Sequence, residues 1–169
     1  MVCTFAGHRP ERLPWGSDET DPRCLELKAR LAQQVRSVYD LGCRRFLCGM
    51  ARGCDWYFCE AVIALRRQCP DVYLEAVIPF GGQPDRWPET DRIRYYRLLG
   101  ACDGRVTLED RYSEGCMMRR NRWMVDRADC IISVCDGRRS GTAAAVRMAR
   151  EKGIPVFPVW KQAGTEYSA

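Results

Sequence analysis

Short runs of β-branched and aromatic residues alternate along the chain with longer stretches whose apolar positions recur every three or four residues. The first pattern belongs to strands and the second to amphipathic helices. It predicts strands at Val2–Ala6, Arg45–Cys48, Tyr73–Pro79, Arg105–Leu108 and Ile131–Val134, with another starting at Val156. Between them it predicts helices over Pro22–Leu41, Trp56–Arg67, Thr90–Leu99, Ser113–Asp129 and Thr142–Gly153. Strands that alternate with helices build βαβ units, so the fold class is α/β with a mainly parallel sheet and helices on both faces.

The last third shows the unit most clearly. Ile131–Val134 is uncharged and short, as a strand buried on both faces should be. Asp136 and Gly137 end it. The following helix carries Thr142, Ala145, Val146 and Ala149 on one face, with Arg147, Arg150 and Glu151 opposite, and Gly153 and Pro155 stop it. At its start, Ser140, Gly141 and Thr142 bring hydroxyls and free N–H groups to the positive end of the helix dipole. Such a terminus either holds an anion, most simply a phosphate, or is capped by its own hydroxyl.

Two earlier strands also run into glycine loops. Val2–Ala6 leads to Gly7-His8-Arg9-Pro10, and Arg45–Cys48 leads to Gly49-Met50-Ala51-Arg52-Gly53-Cys54-Asp55. In an open parallel sheet ligands bind at the carboxyl ends of strands, which makes both loops candidates. Arg9 offers a fork for phosphate, His8 a hydrogen bond, and Gly49 and Gly53 room for a ligand against the backbone. Asp55 stands where a helix N-cap is expected. In the Pro22–Leu41 helix, Leu25, Ala29, Ala32, Val35 and Tyr39 form the expected buried stripe. Trp15, Tyr95 and Tyr96 read as packing residues, the loop Gly81–Pro88 as a polar lid, and Asn121 among its arginines as a solvated helix face or a phosphate or ribose contact.

A chain of 169 residues, 46% hydrophobic, suits one domain, expected over residues 1–160 with a loose tail at 161–169. No apolar run reaches the length that spans a bilayer and no signal-peptide pattern opens the chain, so a cytoplasmic location without membrane contact is expected. The 11 cysteines include no CxxC pair and His8 is the only histidine. This argues for reduced, packed thiols and no metal site. The formal charge of +5 comes mainly from arginine, which suits phosphate recognition.

Together, FAGHRP, GMARGCD, RRNRWMVDRADCIISV and DGRRSGTAAAV resemble, in order, the motifs of the SLOG superfamily, and within it the DUF1273 (YpsA-like) family. The resemblance implies a Rossmann-like three-layer sandwich that binds or senses a nucleotide or nucleotide-derived ligand, with NAD or ADP-ribose among the possible kinds and no certain cofactor. It implies ligand contacts at Gly7, His8, Arg9, Gly49, Gly53, Asp55, Asn121, Ser140, Gly141 and Thr142, and a possible homo-oligomer. Two related families suggest alternatives. The DNA-processing proteins, which bind single-stranded DNA, have similar segments at Gly49–Asp55, Arg120–Arg122 and Ser140–Thr142 but usually open with Gly-Ser-Arg. The cytokinin-activating phosphoribohydrolases carry a catalytic Glu where Ala145 stands here. A hydrolase of this chain would have to use Asp55, Glu60 or Glu114, and no catalytic residue is assigned.

Overall fold

The computed structural model describes residues 1–160. The expected tail at 161–169 lies outside the described residues. The strands are β1 (Val2–Gly7), β2 (Arg45–Cys48), β3 (Tyr73–Ile78), β4 (Gly104–Thr107), β5 (Cys130–Val134) and β6 (Val156–Pro158). The helices are α1 (Pro22–Asp40), α2 (Cys54–Arg66), α3 (Glu89–Gly100), α4 (Cys116–Arg127) and α5 (Gly141–Lys152), with a short 3-10 turn at Pro10–Arg12. All strands are parallel, in the order β4-β3-β2-β1-β5-β6. The fold is therefore α/β and Rossmann-like.

Side-chain alternation divides the core between the two faces. Cys3, Phe5, Phe46, Cys48, Leu74, Ile132 and Val134 point toward α1, α2 and α3, where Phe5 stacks on Phe58 at 4.6 Å. Ala6 and Ile131 pack against Ala145 and Ala149 of α5, while Leu47 and Val77 meet Met124 of α4. The alanines let α5 lie close on the sheet. Each large aliphatic side chain buried in this way contributes about 1.5–3 kcal/mol.

The buried stripe of α1 differs from the sequence expectation. Cys24, Leu27, Leu31, Val35 and Val38 face the core, while Leu25 is 55% exposed. Cysteine behaves as a small hydrophobe, and counting Cys24 as apolar rotates the stripe onto Leu27 and Leu31. Helix α4 starts at Cys116 rather than Ser113, because Gly115 takes a left-handed conformation at φ 78°. Tyr95 is buried as expected, but Tyr96 is 56% exposed. The loop Gly81–Pro88 is no open lid, since Gln83 is buried and its Nε2 donates to the Gly49 carbonyl at 3.3 Å.

The strand order fixes where a site can form. From β1 the chain builds outward through β2, β3 and β4, then returns to place β5 on the other side of β1. The connections leaving β1 and β5 therefore diverge to opposite faces and leave a crevice at the carboxyl edge. Direct bonds bring the loops together there: Cys54 N–H donates to His8 O at 3.1 Å, and the Thr142 hydroxyl donates to Gly7 O at 3.1 Å. Gly53 makes the first approach possible, with φ at 86° and His8 O lying 2.9 Å from where a Cβ would stand. Gly53→Ala should cost about 1–3 kcal/mol. Urea unfolding should show a lower midpoint at unchanged slope; an unchanged midpoint would contradict this account of the loop junction.

Candidate functional site

The crevice between β1 and β5 opens into a cleft of about 280 Å³. Of the residues singled out in the sequence, Gly7, His8, Arg9, Asp55, Asn121, Ser140, Gly141 and Thr142 line it. Gly49 and Gly53 do not. A Cβ on Gly49 would collide with the Arg120 guanidinium and lie 2.9 Å from Asp55 Oδ2, so this glycine makes room for the protein's own side chains and not for a ligand. Gly53 serves the junction with His8 described above.

Asp55 is not the N-cap of α2. That position belongs to Gly53, and Asp55 is the second residue of the helix, 6% exposed, with its Oδ2 accepting the Ala51 N–H at 3.0 Å. Burial pushes its pKa up, and the charges of Arg120 and Arg9 pull against that. Glu60 is paired with Arg94, and neither it nor Glu114 lines the cleft.

Arg120 departs most from the sequence expectation, since it is 5% exposed within a helix that reads as solvated. Its Nη1 donates to Gly49 O and its Nε to Asn121 Oδ1 at 3.1 Å. Burial pulls its pKa down, opposed chiefly by Asp55. Yet Asp55 and Arg120 form no ion pair with each other. The cleft thus holds two buried, opposite charges with no salt bridge between them. Sequence spacing could have shown this: Cys116, Arg120 and Met124 repeat every four residues along the buried face of α4. Glu11 and Arg12, also missed, follow directly on the first loop, and Arg12 donates to Arg139 O at 3.0 Å.

Both ends of the Asn121 side-chain amide are hydrogen-bonded within the protein. Its Nδ2 donates to Gly141 O at 3.3 Å while its Oδ1 accepts from Arg120, so it ties Arg120 to the start of α5. Ser140 is the N-cap of α5, accepting the Ala143 N–H at 3.0 Å, and the Thr142 hydroxyl is committed to Gly7 O. What α5 leaves open are the N–H groups of Gly141 and Thr142, which have no carbonyl within the helix to bond. Arg9, Arg12 and Arg139 stand around this edge without an ion pair among the described residues.

His8 is 1% exposed and neutral. Its Nε2 accepts the Asp136 N–H at 3.0 Å, and its buried Nδ1 has no partner. Burial lowers its pKa; Asp136, with Oδ1 at 3.1 Å, opposes this, while Arg12 and Arg138 add to it. His8, Cys135 and Asp136 hold ligand-type atoms within 4.8 Å of one another, the arrangement among the described residues that could hold a metal ion. These atoms already accept bonds from the loop: Cys135 Sγ from Gly137 N–H at 3.5 Å, and Asp136 from the Arg138 N–H and Nε.

The chain belongs to the family described as the YspA SLOG family, whose YpsA model matches residues 3–153. It is 26% identical over 144 residues to the SPbeta prophage-derived protein YoqJ of Bacillus subtilis, covering 78% of this chain and 84% of that one. It is also 22% identical over 164 residues to the UPF0398 protein YpsA of the same bacterium, covering 92% and 90%. Among solved structures it is similar to DNA processing protein A of Helicobacter pylori, described for its single-stranded DNA binding mode. That likeness has a TM-score of 0.65 at 17% identity, over 97% of this chain and 67% of that one, and it shows the fold. No helix among the described residues is long and apolar enough to cross a membrane.

The neutral His8 makes stability pH-dependent in a known direction. The unfolded chain takes up a proton on this group below its ordinary value of 6.5, and the folded chain does so only at lower pH. The contribution is therefore complete above pH 6.5 and lost as pH falls below it, at up to about 1.4 kcal/mol per pH unit. His8→Gln, whose amide oxygen can accept the Asp136 N–H, should show a shallower loss of unfolding free energy between pH 7 and 5. Equal slopes for the two proteins would contradict the neutral, buried assignment.

Proposed function

We propose that the cleft between β1 and β5 binds a nucleotide or nucleotide-derived small molecule and that the protein acts as a binding or sensing domain. The observation that carries this reading is the buried Asp55 and Arg120, opposite in charge and unpaired with each other, beside the open N–H groups of α5. Buried charges are normally paired, so a ligand that bonds to both would complete the site. The N–H groups suit a phosphate. Hydrolysis of the phosphoribohydrolase type has less support, because Ala145 is 2% exposed and packed on Ala6 and Ile131, leaving no acid from that helix in the cleft.

A second reading, single-stranded nucleic-acid binding, is favoured by Arg9, Arg12 and Arg139 at the mouth and by the fold shared with DNA processing protein A. The two readings separate in one panel of nucleoside phosphates, NAD, ADP-ribose and single-stranded DNA. A small ligand at a hundredfold excess over its Kd should stabilise the fold by about 2.7 kcal/mol and raise Tm by several degrees. Tm unmoved by the small molecules, with DNA bound and its affinity falling steeply with salt, would favour the second reading.

A further inference from the structure

Nucleotide sites often hold the base between aromatic rings, and stacking contributes about 1–3 kcal/mol per base. Among the described residues, the cleft has no ring free for this. Phe5 is stacked on Phe58 at 4.6 Å and nearly parallel, with 9° between the planes, and the His8 ring is buried against the Asp136 loop. Beyond these, the apolar lining is Ala6, Ala51 and Met117. At about 280 Å³ the cleft also lies at the small end of ligand pockets, which run from roughly 300 to 1,000 Å³. Its polar groups, by contrast, are buried and held by the fold. Asp55 spends Oδ2 on the Ala51 N–H, and Arg120 is fixed through Nη1 and Nε.

We propose that the site recognises the ribose 5-phosphate unit of its ligand and leaves the base outside. This rests on the small-molecule reading above. The phosphate sits on the Gly141 and Thr142 N–H groups, and the ribose hydroxyls point at the opposite wall, donating to the Asp55 carboxyl and accepting from Arg120. The orientation follows from the Asp55 carboxyl, which disfavours a phosphate beside it and accepts from a hydroxyl, and from Arg120, whose Nη1 and Nε are already committed to Gly49 O and Asn121 Oδ1. The independent support for a ligand at this helix terminus is the pair of side chains, each more than nine-tenths buried, that line the same cleft without bonding each other.

Calorimetry on the unaltered chain tests this without any folding variant, using ribose 5-phosphate, AMP, GMP, CMP, UMP, 2′-deoxy-AMP and adenosine. The expected result is that ribose 5-phosphate and the four monophosphates bind within about threefold of one another. 2′-Deoxy-AMP should bind about tenfold or more weakly, the loss expected for one hydrogen bond to a charged group, and adenosine should show no binding. If AMP binds but ribose 5-phosphate does not, or if the bases differ by more than about tenfold, the inference falls while the small-molecule reading stands. If 2′-deoxy-AMP binds as well as AMP, the hydroxyl contact is wrong and the inference falls. If none of the phosphates binds, the inference falls, and the small-molecule reading falls with it when NAD and ADP-ribose also leave Tm unmoved.

Discussion

The contact on which the site depends is the guanidinium of Arg120 lying on the carbonyl of Gly49. It exists because residue 49 has no side chain, and a Cβ there would occupy the space that Arg120 fills. From that point a chain of hydrogen bonds crosses the carboxyl edge of the sheet. The Tyr95 hydroxyl donates to Gln83 Oε1 at 3.3 Å, Gln83 and Arg120 both donate to Gly49 O, Arg120 donates to Asn121, and Asn121 donates to Gly141 O. Helix α3, the 81–88 loop, the loop after β2, helix α4 and the start of α5 are thereby held in one arrangement. The divergence of chain at β1 and β5 makes the crevice, and this network gives it a fixed wall.

The same arrangement costs stability and, on the proposed reading, favours binding. A buried arginine and a buried aspartate with no salt bridge between them keep their desolvation penalty without the full Coulomb return. Their pKa values move in the directions this implies, Asp55 up and Arg120 down, each opposed by the charge of the other. Strain of this kind persists where surrounding structure over-determines it, here through α4 packed on the sheet by Met124 and Val125. A ligand group bonded to both charges, as proposed, would recover part of that penalty.

Much of the fold was legible in the sequence because its signals are local. Strand and helix alternate with clear periodicity, Gly153 and Pro155 end α5, and the alanine face of α5 marks a close approach to the sheet. Three features were harder to see, each for a physical reason. The buried stripe of α1 turned on whether Cys24 counts as apolar. Asp55 resembled an N-cap because the cap and the first helical positions are neighbours in sequence, and only the backbone shows that Gly53 takes the cap. Arg120 was hidden among Arg119 and Arg122, and composition alone cannot tell a buried guanidinium from solvated ones; its four-residue spacing from Cys116 and Met124 was the available sign. Gly49 and Gly53 were located correctly as special positions but serve contacts within the protein.

The central claim, that ligand binds in the crevice between β1 and β5, is tested most directly by amide hydrogen exchange with and without saturating AMP. The account predicts slower exchange at the Gly141 and Thr142 amides and across residues 49–55, with the far edge at β4 unchanged. Binding detected by calorimetry together with protection confined elsewhere, for example the recess where Trp123 faces Leu47 and Val106, would contradict it.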